Sequence, residues 1–155
     1  MRARARLLVG LALAIGACGD GGGSTVDSPC DLADAELITS TFGGSVGEGV
    51  EGEFRDCEFA IEGGPVLSVS VYDYGGADLW ESTRAGYEEN RSGVTLVEGI
   101  GDDAFFPNDT GARELVVSSG GQIFAVSVFT GFGEPTAEVI NAVADLAKAI
   151  ADDVA

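Results

Sequence analysis

Apolar positions along this chain recur with two different periods, and the switches between them divide it into elements. Asp34-Ala-Glu-Leu-Ile-Thr-Ser-Thr-Phe42 places Leu37, Ile38 and Phe42 on one helical face, with Asp34 as the expected N-cap and Gly43-Gly44 as the stop. From Phe54 to Ile61 and from Val66 to Tyr74 the period becomes two, which predicts a pair of strands joined through Glu62-Gly-Gly-Pro65. Cys57, Phe59 and Ile61 then share one face of the first strand, and Leu67, Val69 and Val71 one face of the second. Helical spacing returns with Trp80, Arg84 and Tyr87, where Asp78-Leu-Trp-Glu81 reads as a capping box.

Further strands are expected at Val94 to Ile100 and around Ala104-Phe-Phe106. A second hairpin, Arg113 to Ser118 with Gln122 to Thr130, turns on Ser119-Gly-Gly121. The last helix is expected to begin near Pro135. Its residues Val139, Ile140, Val143, Leu146, Ala147 and Ile150 fall within about 120° of one another at 100° per residue. The order hairpin, glycine break, helix thus occurs twice, at 54 to 90 and 113 to 152. The expectation is an α+β fold, an antiparallel sheet of about five or six strands with helices packed on one face and a possible duplicated ββα arrangement.

The opening of the chain obeys neither period. Arg2, Arg4 and Arg6 precede a continuous apolar run from Leu7 that is too short for a permanent membrane span and closes on Ile15-Gly16-Ala17-Cys18. These four residues resemble a bacterial lipobox, which implies cleavage before Cys18 and a lipid on that thiol. Residues 1–17 are read as a lipoprotein signal peptide. Residues 18–28 are the lipidated cysteine and a glycine- and serine-rich tether, whose ten residues after Cys18 span about 17 Å as a coil. Residues 29–155 form one globular domain, a length suited to one core. The three cysteines divide as one for lipid and two, Cys30 and Cys57, for each other, in an exported compartment where a disulfide persists.

Charge narrows the function classes. The formal net charge is −18, and removing the three leading arginines makes it more negative still, so nucleic acid lacks the basic footprint it needs. The chain contains no histidine, the commonest general base at neutral pH and the commonest zinc ligand. Gly43-Gly-Ser45-Val-Gly47 matches a nucleophile elbow only formally, since a helix precedes it and no histidine can serve it. Gly47-Glu-Gly-Val-Glu-Gly52 fits a dinucleotide fingerprint on paper but opens no helix, and is read as a mobile acidic loop. Asp102, Asp103 and Asp109 are read as turn residues rather than calcium ligands, because no spacing aims their oxygens at one point. No cofactor and no metal site is expected.

Ser28-Pro-Cys30-Asp-Leu, Cys57-Glu-Phe59, Val97-Glu-Gly-Ile-Gly-Asp-Asp-Ala-Phe105 and the final strand and helix resemble the actinobacterial envelope lipoproteins of unknown function. That family carries a Pro-Cys start, a Cys-x-Trp strand and a Gly-x-Gly-Asp-x-Ala motif. Phe59 stands here where it has tryptophan. The resemblance spans roughly residues 29 to 155 and implies a disulfide-stapled α+β lipoprotein domain with no assigned activity.

The functional expectation is a non-enzymatic binding or accessory module held at the cell envelope through the lipid on Cys18. Its partner would be an envelope protein or a small or lipidic ligand. The alternative is a carboxylate-based envelope hydrolase. If Leu67, Val69 and Val71 face the helices, alternation sends Ser68, Ser70 and Tyr72 outward; likewise Phe124, Val126 and Val128 go inward and Ala125, Ser127 and Phe129 outward. This outer face, hydroxyl-rich, aromatic and poor in charge, is the expected binding surface. Trp80 and Tyr87 are expected to pack into the core.

Overall fold

The two hairpins anticipated by the periodicity bury their side chains differently, and that difference organises the architecture. In the computed structural model, which describes residues 26–155, strand β3 (Asp56–Glu62) alternates strictly between buried and exposed residues. Strands β7 (Glu114–Ser119) and β8 (Gln122–Phe129) instead hold continuous buried runs, Leu115 to Ser119 and Gln122 to Val126. A strand buried on both faces needs cover on both. The sheet is therefore covered on one face along its length and on the other only over one half.

The remaining elements are the helices α1 (Ala35–Phe42), α2 (Trp80–Asn90) and α3 (Ala137–Val154) and the strands β1 (Ser45–Val46), β2 (Val50–Glu51), β4 (Ser68–Gly76), β5 (Val94–Val97) and β6 (Asp103–Pro107). All strand pairings are antiparallel. The order is β1-β3-β4-β8-β7-β6-β5, with β2 also on β3. The expected α+β class is the one that forms, with an eight-stranded antiparallel sheet and helices packed against it. The count exceeds five or six because β1 and β2 are two-residue arms from the acidic glycine segment. That segment is laid along β3, with Gly47 N donating to Ala60 O at 3.0 Å. Gly49 sits so close to Cys57 Sγ and the Phe59 ring that a Cβ would not fit.

Helices α1 and α3 cover the first face, packing Ile38, Phe42, Val139, Val143, Leu146 and Ile150 on Cys57, Phe59, Val69, Val71, Val126 and Leu115. Asp34 caps α1 as expected, accepting from Leu37 N at 2.8 Å, and Gly43 closes it at φ 71°. Helix α3 starts after the buried Pro135: Thr136 is its N-cap, with Oγ1 accepting from Val139 N at 3.3 Å. At its far end Ser119 Oγ donates to Ala151 O at 3.0 Å. Cys30 and Cys57 are bonded, with Cα atoms 5.0 Å apart, fastening the chain before α1 onto β3. Val26 also packs against this core, so ordered packing begins ahead of residue 29.

Helix α2 lies on the opposite face, where Trp80 packs with Phe105, Val116, Ile123 and Ala125. The expectation that all helices share one face does not extend to it. The cause is a bulge in β4 between Asp73 and Gly75, where one extra residue interrupts the register against β8. An added residue reverses the alternation, and here it turns the outgoing chain toward the other face. The expected Asp78 cap does not form. Ala77–Leu79 is a 3-10 turn, and no side chain caps α2.

Leu67 is a second correction. It precedes β4, is 54% exposed, and the inward place goes to Val66. Its backbone is engaged twice, with Leu67 N donating to Phe129 O at 2.7 Å and Ile61 N donating to Leu67 O at 2.9 Å. Strand β4 therefore starts two residues later than the sequence pattern suggests. Cys18 and the signal peptide lie outside the described residues.

Candidate functional site

The sheet face carrying α2 is built in rows that the strand register defines. One row runs Ala60, Ser68, Phe129; the next runs Glu58, Ser70, Ser127, Glu114; the third runs Asp56, Tyr72, Ala125, Val116, Phe105. The structure thus brings the expected residues Ser68, Ser70, Tyr72, Ser127 and Phe129 together on neighbouring strands. Phe129 is the most open of them, 57% exposed, while the other four are half-buried. Ala125, expected outside, is fully buried because the Trp80 cluster closes over it. The uncharged zone is also only two strands wide. Glu58 and Asp56 on β3 and Glu114 on β7 border it, which an argument confined to β4 and β8 could not show.

Where α2 meets this zone, a cluster forms that local pattern alone did not reveal. Tyr74 is the extra residue of the β4 bulge, and its ring stacks on Tyr72 with centroids 6.0 Å apart. Its hydroxyl lies 3.0 Å from that of Tyr87 on α2. Both phenols donate to Glu114 Oε1, at 3.2 Å from Tyr74 and 2.7 Å from Tyr87. Burial, with the nearby Glu114 charge, pushes both phenols far above their ordinary range, since each must lose its proton in a dry, negative setting. Tyr72 is raised too, chiefly by burial and by Asp56. Tyr87 meets Phe105 edge-on at 5.3 Å, and Arg91 Cζ stands 5.8 Å over the Tyr87 ring.

Beside this cluster is a shallow recess of about 480 Å³. It is lined by Tyr74 and Tyr87, by the α2 stripe Ser82, Gly86 and Asn90 together with Thr83, and by Arg91 at the end of the helix. Residues four apart stand one above another on a helix, so these side chains face one way. Asn90 Nδ2 donates back to Gly86 O at 2.9 Å. Gly86 itself is mid-helix, and among the described residues a Cβ placed on it would meet nothing within 4 Å. A mid-helix glycine that contacts nothing was the available signal for this recess.

Of the acids weighed from the sequence, Asp102 and Asp103 are adjacent, but Asp109 lies apart from them. Asp103 accepts from Trp80 Nε1 at 3.1 Å at the start of β6, whereas Asp109, beyond the other end of that strand, pairs with Arg91 at 3.4 Å. Among the described residues no three acids or cysteines gather as a metal-holding group. A different buried carboxylate lies at the far edge of the first core. Asp73, 2% exposed, accepts from Gly75 N at 2.9 Å, from Gln122 Nε2 and from the Arg55 guanidinium. Arg55 is held above its ordinary range by that bond and charge, and its φ of 55° sets the backbone to reach inward. Gln122 is fully buried, and Asp73 N donates to Arg55 O at 2.9 Å, so this group locks β3, β4 and β8 together.

No protein-family model, no curated protein and no solved structure matches the chain.

Proposed function

We propose that this chain is an exported, lipid-anchored accessory module of the cell envelope that binds an envelope protein through the uncovered half of its sheet. The observation that carries the reading is the uncharged stripe that α2 leaves open, Ser68, Ser70 and Ser127 ending on the exposed Phe129. Leu67 and Phe132, both exposed, extend the apolar character at that end. On an acidic protein such a patch favours contact with an uncharged surface of a partner.

Its position supports a partner protein over the bilayer. The tether enters through Cys30, which is bonded to Cys57 near the Asp56 end of β3, whereas Phe129 pairs with Ser68 at the other end of the same strands. Phe129, the most open residue of the patch, therefore lies toward the end of the strands farther from the root of the anchor. The anchor rests on the lipobox-like run ending at Cys18, and the bonded pair Cys30 and Cys57 suits an oxidising compartment. The resemblance to envelope lipoproteins agrees with the same location.

A photo-crosslinking residue placed at Phe129, and separately at Ser127, tests the contact in the living host. A discrete protein adduct at both positions, absent when the probe replaces Glu138 on α3, is the expected result. Cys18→Ala should abolish detergent partitioning and remove the adduct. Absence of any adduct from the patch, or normal partitioning and processed mass of Cys18→Ala, would overturn the reading.

A further inference from the structure

We infer that the recess between α2 and Tyr74 is a binding site for a neutral saccharide, separate from the open stripe ending at Phe129. The first reason is Gly86. A glycine in a helix interior costs roughly 1 kcal/mol relative to alanine, and nature keeps it there where backbone conformation or packing demands it. Neither demand exists here among the described residues: its φ is not positive, and none of their atoms lies within 4 Å of an added Cβ. Gly86 lines the recess together with Tyr74 and Tyr87, and its missing side chain leaves that stretch of the wall open.

The second reason is the chemistry of the lining. A sugar ring presents C–H groups that lie against aromatic surface and hydroxyls around its rim. The recess offers the half-buried Tyr74 and Tyr87 with Thr83, Ser82 and Asn90 beside them; Ser82 Oγ donates to Leu79 O and Asn90 Nδ2 to Gly86 O, which leaves their oxygens as acceptors for sugar hydroxyls. Its shallow form suits one ring or the end of a chain laid on the surface. Ligand sites combine this kind of apolar floor with a few orienting polar groups.

Charge selects the neutral class. A cationic ligand would compete for the place over Tyr87 that Arg91 already takes, and Glu114, the carboxylate nearest the phenols, is already the acceptor of both. An anionic ligand would meet Glu114 and the net charge of −18, and Arg91, the one cation among the described residues of the lining, already pairs with Asp109 at 3.4 Å. Hydroxyl and acetamido groups meet neither obstacle.

The test uses the full chain in a detergent without a sugar headgroup, titrated with maltotriose and with the trimer of N-acetylglucosamine. Trp80, the one tryptophan of the chain, packs on the same Phe105 ring as Tyr87 and reports by fluorescence. Amide shifts of Thr83, Gly86 and Asn90 locate the contact. Saturable binding of at least one neutral trimer is expected. Gly86→Leu should weaken it by at least about tenfold while melting no lower than the parent chain, because leucine is the better helix former and its side chain enters open space. Asn90→Ala should weaken it as well. Three results would each overturn the inference: unchanged binding in Gly86→Leu, binding of glucosamine or glucuronate oligomers but not of neutral ones, or no response to any saccharide.

Discussion

Tyr74 on β4 and Tyr87 on α2 approach hydroxyl to hydroxyl at 3.0 Å and share one carboxylate oxygen of Glu114. Their pairing joins the helix to the sheet across the bulge, and it ties the stability of this half of the molecule to protonated phenols.

The sign of the resulting pH dependence follows from linkage. Tyr72, Tyr74 and Tyr87 are the chain's only tyrosines, and burial raises each above the ordinary 10.0 of a free phenol. Stability from a raised pKa is complete below the unfolded value and declines as pH rises above it, because the unfolded chain releases protons first. The melting temperature should therefore fall steadily above about pH 10. Absorbance of tyrosinate near 295 nm should appear together with unfolding. Tyrosinate signal from a fully folded chain near pH 10 would contradict this.

The bond between Cys30 and Cys57 closes a loop of 27 residues' separation and holds the entry to α1 on β3. Chain entropy assigns such a loop about 3.5 kcal/mol, a large share of the roughly 5–15 kcal/mol that stabilises a domain. Reduction, or Cys30→Ala with Cys57→Ala, should lower the denaturant midpoint by a corresponding amount. Alkylation of two thiols in the native exported protein would show that the bond is absent in the cell.

Asp73→Ala should be among the most damaging single substitutions. It removes a buried acceptor used by Gln122, Gly75 and Arg55, and takes from the buried Gln122 amide and the Gly75 N–H the carboxylate they donate to. A loss of about 1–3 kcal/mol is expected, the cost of depriving buried donors of their acceptor. Arg55→Lys should cost much less, since Arg55 is 53% exposed and a lysine keeps the charge. Equal losses in the two variants, measured by chemical denaturation, would refute the role assigned to Asp73.

Much of this architecture was legible because it is written in short-range periods. Residues four apart on α3 and two apart on β3 form their apolar faces whatever the rest of the chain does, and Asp34 and Gly43 close α1 through bonds to near neighbours. The cysteine pairing was legible by count. The face residues Ser70, Ser127 and Phe129 followed from alternation alone, because β4 and β8 pair without interruption up to Asp73.

What only the tertiary structure decided depends on contacts between residues distant in sequence. The side of the sheet that α2 covers turns on one extra residue in β4, and periodicity cannot register a bulge that depends on the partner strand. Glu114 reaches Tyr87 across 27 residues and Tyr74 across 40, because β7 lies two strands from β4 with β8 between them. The acidic borders of the open stripe come from strands that its own sequence does not contain. Local pattern sets the faces of each element; the order in which the strands pair sets which faces meet.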